Sequence, residues 1–321
     1  MRSPRLVDAL PLPFLRKIDV SEAFLPMKIR LLSGSCYVAL LVAFFCLKLF
    51  LHDFFFDGLI YAFALIGTFE MLRAVKDKTT VAERVIVYAF AILALPACAL
   101  CQHFYGAGVQ VVCACLFVLA LALLSLLVVC YEKTSLESLG LSFLSAVYPS
   151  FLLCLLVLTN HLSAPASLTE FAFDSRLLIL FIFVVSPCAD SIAYVFGRCF
   201  KKYFPKKMAP TLSPNKTVIG GIGGLVGGML AAAILYFAYN ATVGSFAQPY
   251  IWLPVYLGIG LFAAIATAFG DLVESCIKRK VGLKDMGRIM PGHGGVLDRI
   301  DGTLFATVTV YLAYLLVALV A

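Results

Sequence analysis

Charged side chains gather in one short stretch near the end of a chain that is otherwise poor in charge. Residues 284–301, KDMGRIMPGHGGVLDRID, contain Lys284, Asp285, Arg288, His293, Asp298, Arg299 and Asp301. Asp298 and Asp301 are three positions apart and share a face if a helix starts there. Carboxylate oxygens are the ligands that magnesium prefers, whereas zinc would need more histidine or cysteine than this stretch offers. His293 precedes two glycines, so it is either a substrate contact, which we favour, or part of a capped turn.

A second polar group lies just upstream, in AFGDLVESCIKRK. Its polar residues fall at i, i+3, i+4 and i+7, so one face of a helix would carry all of them. They are Asp271, Glu274, Ser275 and Lys278. Two carboxylates followed by a lysine could serve a metal and a phosphate, although the solvated end of an ordinary helix has the same spacing.

Two further features could contribute to a site. In PTLSPNKTVIGG, the residues Ser213, Lys216 and Thr217 precede a glycine-rich run, and a lysine beside free helix-start amides can hold a phosphate. The order differs from the GxxxxGK[ST] loop, so this is a candidate phosphate cradle of another kind. Asp190 lies inside an apolar run, where a charge is expensive and a functional candidate by default. We expect it to line a polar cavity, with a structural ion pair as the alternative.

The remaining composition indicates a chain that lies in a lipid bilayer. Of its 321 residues, 62% are hydrophobic and 13% are charged, against roughly a quarter charged in a soluble domain. Runs of about 20 apolar residues are candidate spanning helices. They cover residues 34–51, 54–73, 85–103, 107–130, 141–160, 177–199, 218–239, 250–275 and 303–321. We predict an all-α polytopic membrane protein with about nine transmembrane helices.

Breaks between these runs divide the chain into three parts. We predict an interfacial segment at 1–33, an N-terminal bundle of five spans at 34–175 and a C-terminal catalytic region of four spans at 176–321. The catalytic region would carry two cytoplasmic loops, 200–217 and 276–302. All the polar stretches described above belong to this third part.

Lysine and arginine occupy alternate connections between the spans. The connections between them hold almost no lysine or arginine; Arg176 is the only one there. Because cytoplasmic loops hold the excess of these residues, we expect a cytoplasmic N-terminus, a C-terminus outside and a cytoplasmic site. The net charge of +7 then reflects loops beside anionic lipid, and no nucleic acid partner is expected. With no organelle-targeting signal evident, we expect the inner membrane of a bacterial cell.

The glycines of TVIGGIGGLVGGML recur at spacings that let helix backbones approach closely. We favour tight packing within the chain over a dimer face, and a homodimer stays possible. A third alternative is that Gly220 and Gly221 start a helix beside a phosphate.

Carboxylates for a hard metal, cations for phosphates and glycines for close approach are together the requirements of phosphoryl or nucleotidyl transfer. At a membrane surface, such a site could join a soluble nucleotide to a lipid phosphate.

The segment SCIKRKVGLKDMGRIMPGHGGVLDRID closely resembles the signature of the phosphatidate cytidylyltransferase family, also called CDP-diacylglycerol synthases. The matching groups are Ser275, Lys278-Arg279, Lys284-Asp285, His293-Gly294-Gly295 and Asp298-Arg299-Ile300-Asp301. ADSIAYVFGR and LSPNKTVIGG resemble two upstream segments of the family, with Asn215 and Ile219 in place of the usual Lys and Glu. The resemblance is good over 176–321, while the first five spans match mainly in hydropathy.

The resemblance implies that CTP and phosphatidic acid give CDP-diacylglycerol and pyrophosphate at the bilayer. It implies magnesium held by Asp271 and Asp298, with potassium implicated beside it. Together with the residue types, it gives a catalytic set of Asp271, Lys284, Asp285, His293, Asp298, Arg299 and Asp301. The substrate-binding set is Asp190, Ser213, Lys216, Thr217, Ser275, Lys278, Arg279, Gly294 and Gly295.

Two other functions remain as alternatives. A CTP-dependent kinase of polyprenol or phytol type would share the nucleotide and the polytopic build, but not the His-Gly-Gly and Asp-Arg-x-Asp groups. An ion-coupled transporter would also carry charges within its spans, usually near the bilayer midplane and between sequence repeats. Here the polar residues gather at one surface and no repeat is evident.

Overall fold

The computed structural model describes residues 27–163, 174–242 and 249–320, and most of this part of the chain is helical. The helices are α1 (Met27–Phe50), α2 (Asp53–Ala74), α3 (Val81–Tyr105), α4 (Gly108–Val129), α5 (Leu136–Ala146), α6 (Leu152–Asn160), α7 (Ser175–Phe200), α8 (Val218–Thr242), α9 (Pro249–Lys280) and α10 (Leu297–Val320). A short 3₁₀ turn, Lys76–Lys78, links α2 to α3. Most of the predicted interfacial segment, residues 1–26, lies outside the described residues.

The prediction of an all-α polytopic membrane protein is confirmed. A π-helical turn, Val147–Phe151, joins α5 to α6, and the two helices form one span. With this span included, the described residues contain nine helical segments that are long and apolar enough to cross a membrane.

Two helix boundaries differ from those that hydropathy predicts. Helix α9 continues to Lys280 rather than ending near residue 275, and α10 begins at Leu297 rather than at 303. Asp298 and Asp301 therefore lie in the first two turns of α10. Charged residues at a helix end lower the local hydropathy, which is why an apolar pattern misses these turns.

Glycine lets α7, α8 and α9 pack closely. A methyl group added to Gly223 would lie 2.5 Å from the Phe196 side chain, and one added to Gly228 would lie 2.5 Å from the Gly260 carbonyl oxygen. No side chain fits where backbones approach this closely. The glycine pattern of α8 thus serves packing within the chain, and it fixes α7 and α9, which carry Asp190 and Asp271.

The connection between α7 and α8 contains a small hairpin that the apolar pattern did not predict. Strand β1 (Lys207–Ala209) pairs antiparallel with β2 (Ser213–Thr217). A hairpin of this size is marginally stable alone. Here β2 runs directly into α8, and the backbone N–H of Val218 donates to the Lys206 carbonyl at 3.0 Å. The hairpin therefore holds Lys216 at the start of α8.

The N-terminal and C-terminal halves are joined at the end of the bundle that lies away from the polar stretches. The Lys48 ammonium group donates to the Asp53 carboxylate, to the Asn160 carbonyl at 3.1 Å and to the Ser175 hydroxyl at 3.0 Å. Only 2% of the Lys48 side chain is exposed. A buried cation needs such partners, so α1, α2, α6 and α7 are tied together here. The predicted boundary near residue 175 separates the N-terminal bundle from the catalytic region, and the Lys48 contacts lie at this boundary.

Candidate active site

Asp298 organises the loop between α9 and α10. Its Oδ2 oxygen accepts hydrogen bonds from the backbone N–H groups of Met286 (2.9 Å), Gly287 (3.3 Å) and Gly295 (2.7 Å). The Asp298 side chain is only 4% exposed. Gly294 has a φ of 85°, a left-handed conformation that favours glycine. The loop is thus folded around one buried carboxylate.

Lys278 connects this carboxylate to a second one. Its Nζ donates to Glu274 Oε2 at 2.7 Å and to Asp298 Oδ1 at 2.8 Å. Glu274 is fully buried, and a buried charge is costly unless it is paired. One ammonium group thus serves two carboxylates on α9 and α10, which fixes these helices relative to each other.

Asp271, about two turns before Lys278 on α9, is more accessible. It forms an ion pair with Lys216 of β2, and the Ser275 hydroxyl lies 3.5 Å from its Oδ1. The side chains of Asp271 and Lys216 are 30% and 26% exposed. Unlike Asp298, this carboxylate and its lysine can both be reached by a ligand.

We define the acidic centre as Asp190, Asp271, Asp298 and Asp301. Asp190 is exposed on α7, and the charges of Asp271 and Asp301 act on it. Asp301 accepts a hydrogen bond from the Gly302 N–H at 2.7 Å. The positive charges of Lys216 and Arg299 also act on Asp190 and partly offset the negative charges of the other two carboxylates. The structure therefore brings together aspartates from three helices with two of the predicted cations.

One buried polar group beside the acidic centre was not predicted as a site residue. The hydroxyl of Tyr148 is buried and has no hydrogen-bond partner within the described chain. Tyr148 belongs to the π-helical turn, and the charges of Glu274, Asp271, Asp298 and Asp301 all act on it. Such turns are frequent at functional sites. A tyrosine in an apolar span gives no sequence signal that it lies beside an acidic site.

His293 is oriented by α1, which also was not predicted. Its Nδ1 lies 2.6 Å from the Ser33 hydroxyl oxygen, and this hydroxyl donates to the Pro291 carbonyl at 3.1 Å. If the hydroxyl proton is used in that way, Nδ1 carries a proton and the lone pair of the neutral ring is on Nε2. A methyl group added to Gly34 would lie 3.5 Å from Cε1 of the ring. The first helix therefore packs against a residue of the predicted catalytic set.

The other predicted residues differ in their accessibility. Arg279, Lys284, Asp285 and Arg299 are exposed, and Arg279 donates to the Leu283 carbonyl at 3.2 Å. Ser213 is half-buried where the hairpin returns, and Thr217 is buried. The Thr217 hydroxyl accepts the Gly220 N–H at 3.1 Å. This amide is therefore engaged within the protein, which weakens the idea of a phosphate cradle built on Gly220.

The donor set suits magnesium more than a metal held entirely by protein. Within the described ranges, no three Asp, Glu, His or Cys side chains are grouped so that they could hold an ion. Magnesium commonly takes one or two carboxylates and completes its shell with water and substrate phosphates. Accessible Asp271 fits this pattern. Asp298 fits it only through Oδ1, the oxygen that Lys278 contacts, because Oδ2 accepts three amides.

The fold and the site define a polytopic helical membrane protein with an acidic, cation-flanked centre at one end of the bundle. The chain belongs to the cytidylyltransferase family, whose sequence description matches residues 28–317.

Named relatives resemble part of the chain. It is 41% identical over 132 residues to the phosphatidate cytidylyltransferase of Staphylococcus haemolyticus, which is 41% of this chain and 46% of that protein. For the Staphylococcus aureus protein of the same name the identity is 43% over 129 residues, 40% and 45% of the two chains. For that of Brucella abortus it is 42% over 139 residues, 42% and 45%. The matches span a little under half the length of these relatives.

Proposed function

We propose that this protein transfers the cytidylyl group of CTP to phosphatidic acid, giving CDP-diacylglycerol and pyrophosphate. The observation that carries the proposal is a pair of ion pairs about two turns apart on α9: Asp271 with Lys216 of the hairpin, and Lys278 with Asp298 of α10. The names of the relatives support the same reaction.

The reaction needs little covalent chemistry from the protein. An oxygen of the phosphatidate phosphate attacks the α-phosphorus of CTP and forms a new P–O bond. The bond from the α-phosphorus to the bridging oxygen breaks, and pyrophosphate leaves with its electron pair. Because a phosphate monoester is largely ionised at neutral pH, no general base is required. The task of the site is therefore to position two anionic substrates and to offset their charge.

The described cations can perform this task. Lys216 and Arg299 lie at the acidic centre, while Arg279 and Lys284 are exposed in the following loop. When a triphosphate enters, Lys216 can exchange its contact with Asp271 for a phosphate oxygen, which frees Asp271. We assign Arg279 and Lys284 to the phosphates of CTP, and His293 to contact with the substrate.

Magnesium, when bound, would neutralise phosphate oxygens and stabilise the departing pyrophosphate. We propose Asp271 and Asp298 as its protein ligands, Asp298 through Oδ1 once Lys278 gives up its contact with that oxygen. Asp190 and Asp301 would add negative charge around them. Potassium is proposed as a second cation on the basis of the family resemblance.

The basic connections support a site on the cytoplasmic side of a bacterial inner membrane, where CTP is available. The acidic centre is at the start of α10 and in the C-terminal halves of α7 and α9. A lipid headgroup at that surface and a soluble nucleotide could thus meet in it.

The test uses purified protein in detergent with magnesium, CTP labelled at the α- or the γ-phosphorus, and either phosphatidate or a polyprenol. We expect the α-label to enter lipid and the γ-label to leave as pyrophosphate. The entry of γ-label into an alcohol lipid would instead indicate a CTP-dependent lipid kinase. The cytidylyl-transfer proposal is wrong if the unmodified protein transfers neither label to lipid, so that its result equals that of the Asp271→Asn variant.

A further inference from the structure

The first two turns of α10 carry Asp298 and Asp301, but the helix lacks a cap from its own sequence. The residue before its first turn is Val296, whose side chain cannot accept a hydrogen bond. The first amides of a helix have no partner within the helix and need one from elsewhere. A cap must therefore come from another part of the chain.

Glu70 of α2 provides this cap across the fold. Its Oε1 accepts the N–H of Val296 at 3.1 Å, and its Oε2 accepts the N–H of Leu297 at 2.9 Å. Glu70 is fully buried, although it is more than 200 residues earlier in the chain. A carboxylate at a helix N-terminus also interacts favourably with the helix dipole.

The loop is built to admit this carboxylate. A methyl group added to Gly287 or Gly295 would collide with the carboxyl group of Glu70. One turn along α2, the Arg73 guanidinium donates to the Met286 carbonyl at 2.7 Å. Glycine at 287 and 295 thus allows α2 to reach the loop backbone.

Glu70 and Asp298 divide the loop amides between them. Asp298 accepts those of Met286, Gly287 and Gly295, and Glu70 accepts those of Val296 and Leu297. Five backbone amides around His293 are therefore held by two carboxylates, one from each half of the chain. In Glu70→Gln, Asp298 would still hold its own three amides, but one of the two amides at the start of α10 would meet an NH2 group in place of an acceptor.

We propose that Glu70 is a positioning residue for the acidic centre, acting through the backbone at the start of α10. The effect on turnover rests on the proposed cytidylyl transfer, whereas the effect on the loop does not. Displacement of a reacting group by about 1 Å can reduce a rate about 100-fold. We therefore expect Glu70→Gln to lower kcat about 30- to 100-fold while KM for CTP changes less than about threefold.

Glu83 offers a matched control in the same half of the chain. It is also fully buried, and its carboxylate accepts hydrogen bonds from the Thr80 N–H and from the hydroxyls of Ser138 and Ser142. Glu83→Gln thus removes a buried charge of similar burial and bonding that does not contact the loop. It should lower thermal stability without a selective loss of kcat.

Hydrogen exchange separates the proposal from the reaction itself. In the unmodified protein, the amides of Val296 and Leu297 should exchange as slowly as amides inside a helix, although they begin one. In Glu70→Gln, exchange at Val296 and Leu297 should rise at least tenfold, and in Glu83→Gln it should not. Fast exchange at Val296 and Leu297 in the unmodified protein would overturn the proposal without any variant having to fold. Equal losses of kcat in the two variants would also overturn it.

Discussion

Lys278 and Asp298, which lie on different helices, form an ion pair with 2.8 Å between Nζ and Oδ1. The same ammonium group contacts Glu274, and the three side chains are 12%, 4% and 0% exposed. Removal of the lysine would therefore leave two carboxylates without their cation in a region that water hardly reaches.

Lys278→Met is expected to lose about 3–5 kcal/mol of stability, the usual result of breaking one side of a buried ion pair. Thermal unfolding in detergent measures this change. Lys78→Met is the control, because the Lys78–Glu137 pair has side chains 55% and 70% exposed and should contribute little to stability. Adding Glu274→Gln to Lys278→Met should recover part of the loss. Equal effects of the two single lysine variants would contradict the expectation.

Asp271→Asn should lower kcat about 1000-fold or more, because metal-ion stabilisation of phosphate charge supplies several kcal/mol and each 1.4 kcal/mol is tenfold in rate. The dependence of the rate on magnesium concentration should weaken in parallel. Asp77→Asn, at an exposed position in the Lys76–Lys78 turn, is the control for loss of a surface charge. Wild-type magnesium dependence in Asp271→Asn would show that Asp271 is not a ligand.

Ser33→Ala should lower kcat/KM about three- to tenfold, since one hydrogen bond that orients His293 is lost. The informative measurement is a double-mutant cycle with His293→Ala. If the hydroxyl acts only through the ring, Ser33→Ala should have almost no effect when His293 is already alanine. Additive losses would instead mean that Ser33 acts on something other than the histidine.

Two glycines of the C-terminal helices should respond to alanine in opposite ways. Gly228→Ala should be destabilising by about 1–3 kcal/mol, because its methyl group would lie 2.5 Å from the Gly260 carbonyl oxygen. Gly258→Ala meets open space and should stabilise α9 by about 0.5–1 kcal/mol, the usual preference of a helix for alanine. Thermal unfolding of both variants decides the matter, and the same sign for both would contradict this account of the packing.

Hydropathy was sufficient to predict the helical spans, because a lipid-facing helix must be apolar along most of its length. Hydropathy failed at two places where the chain is polar. The first turns of α10 carry Asp298 and Asp301, and the connection before α8 folds into a hairpin of polar residues. Helix starts at a polar site and strand pairing in a loop depend on contacts that an apolar pattern does not contain.

The predicted site residues all came from the C-terminal half, where the characteristic spacing is visible. Glu70, Ser33 and Tyr148 were missed because their relation to the site is one of space rather than sequence. Glu70 carried the one usable signal, a carboxylate within an apolar span, and such a residue is a functional candidate by default. Ser33 and Tyr148 are ordinary residues of a membrane helix until the loop and the acidic centre are placed beside them.

The Lys48 network also constrains how the protein matures. Its ammonium group belongs to α1, the first helix of the described residues, and Asp53 follows it almost immediately. Its two remaining partners, the Asn160 carbonyl and the Ser175 hydroxyl, appear only much later in translation. The helical hairpin of α1 and α2 therefore enters the bilayer before Lys48 has all of its partners. Insertion of α7 supplies the last of them, the Ser175 hydroxyl.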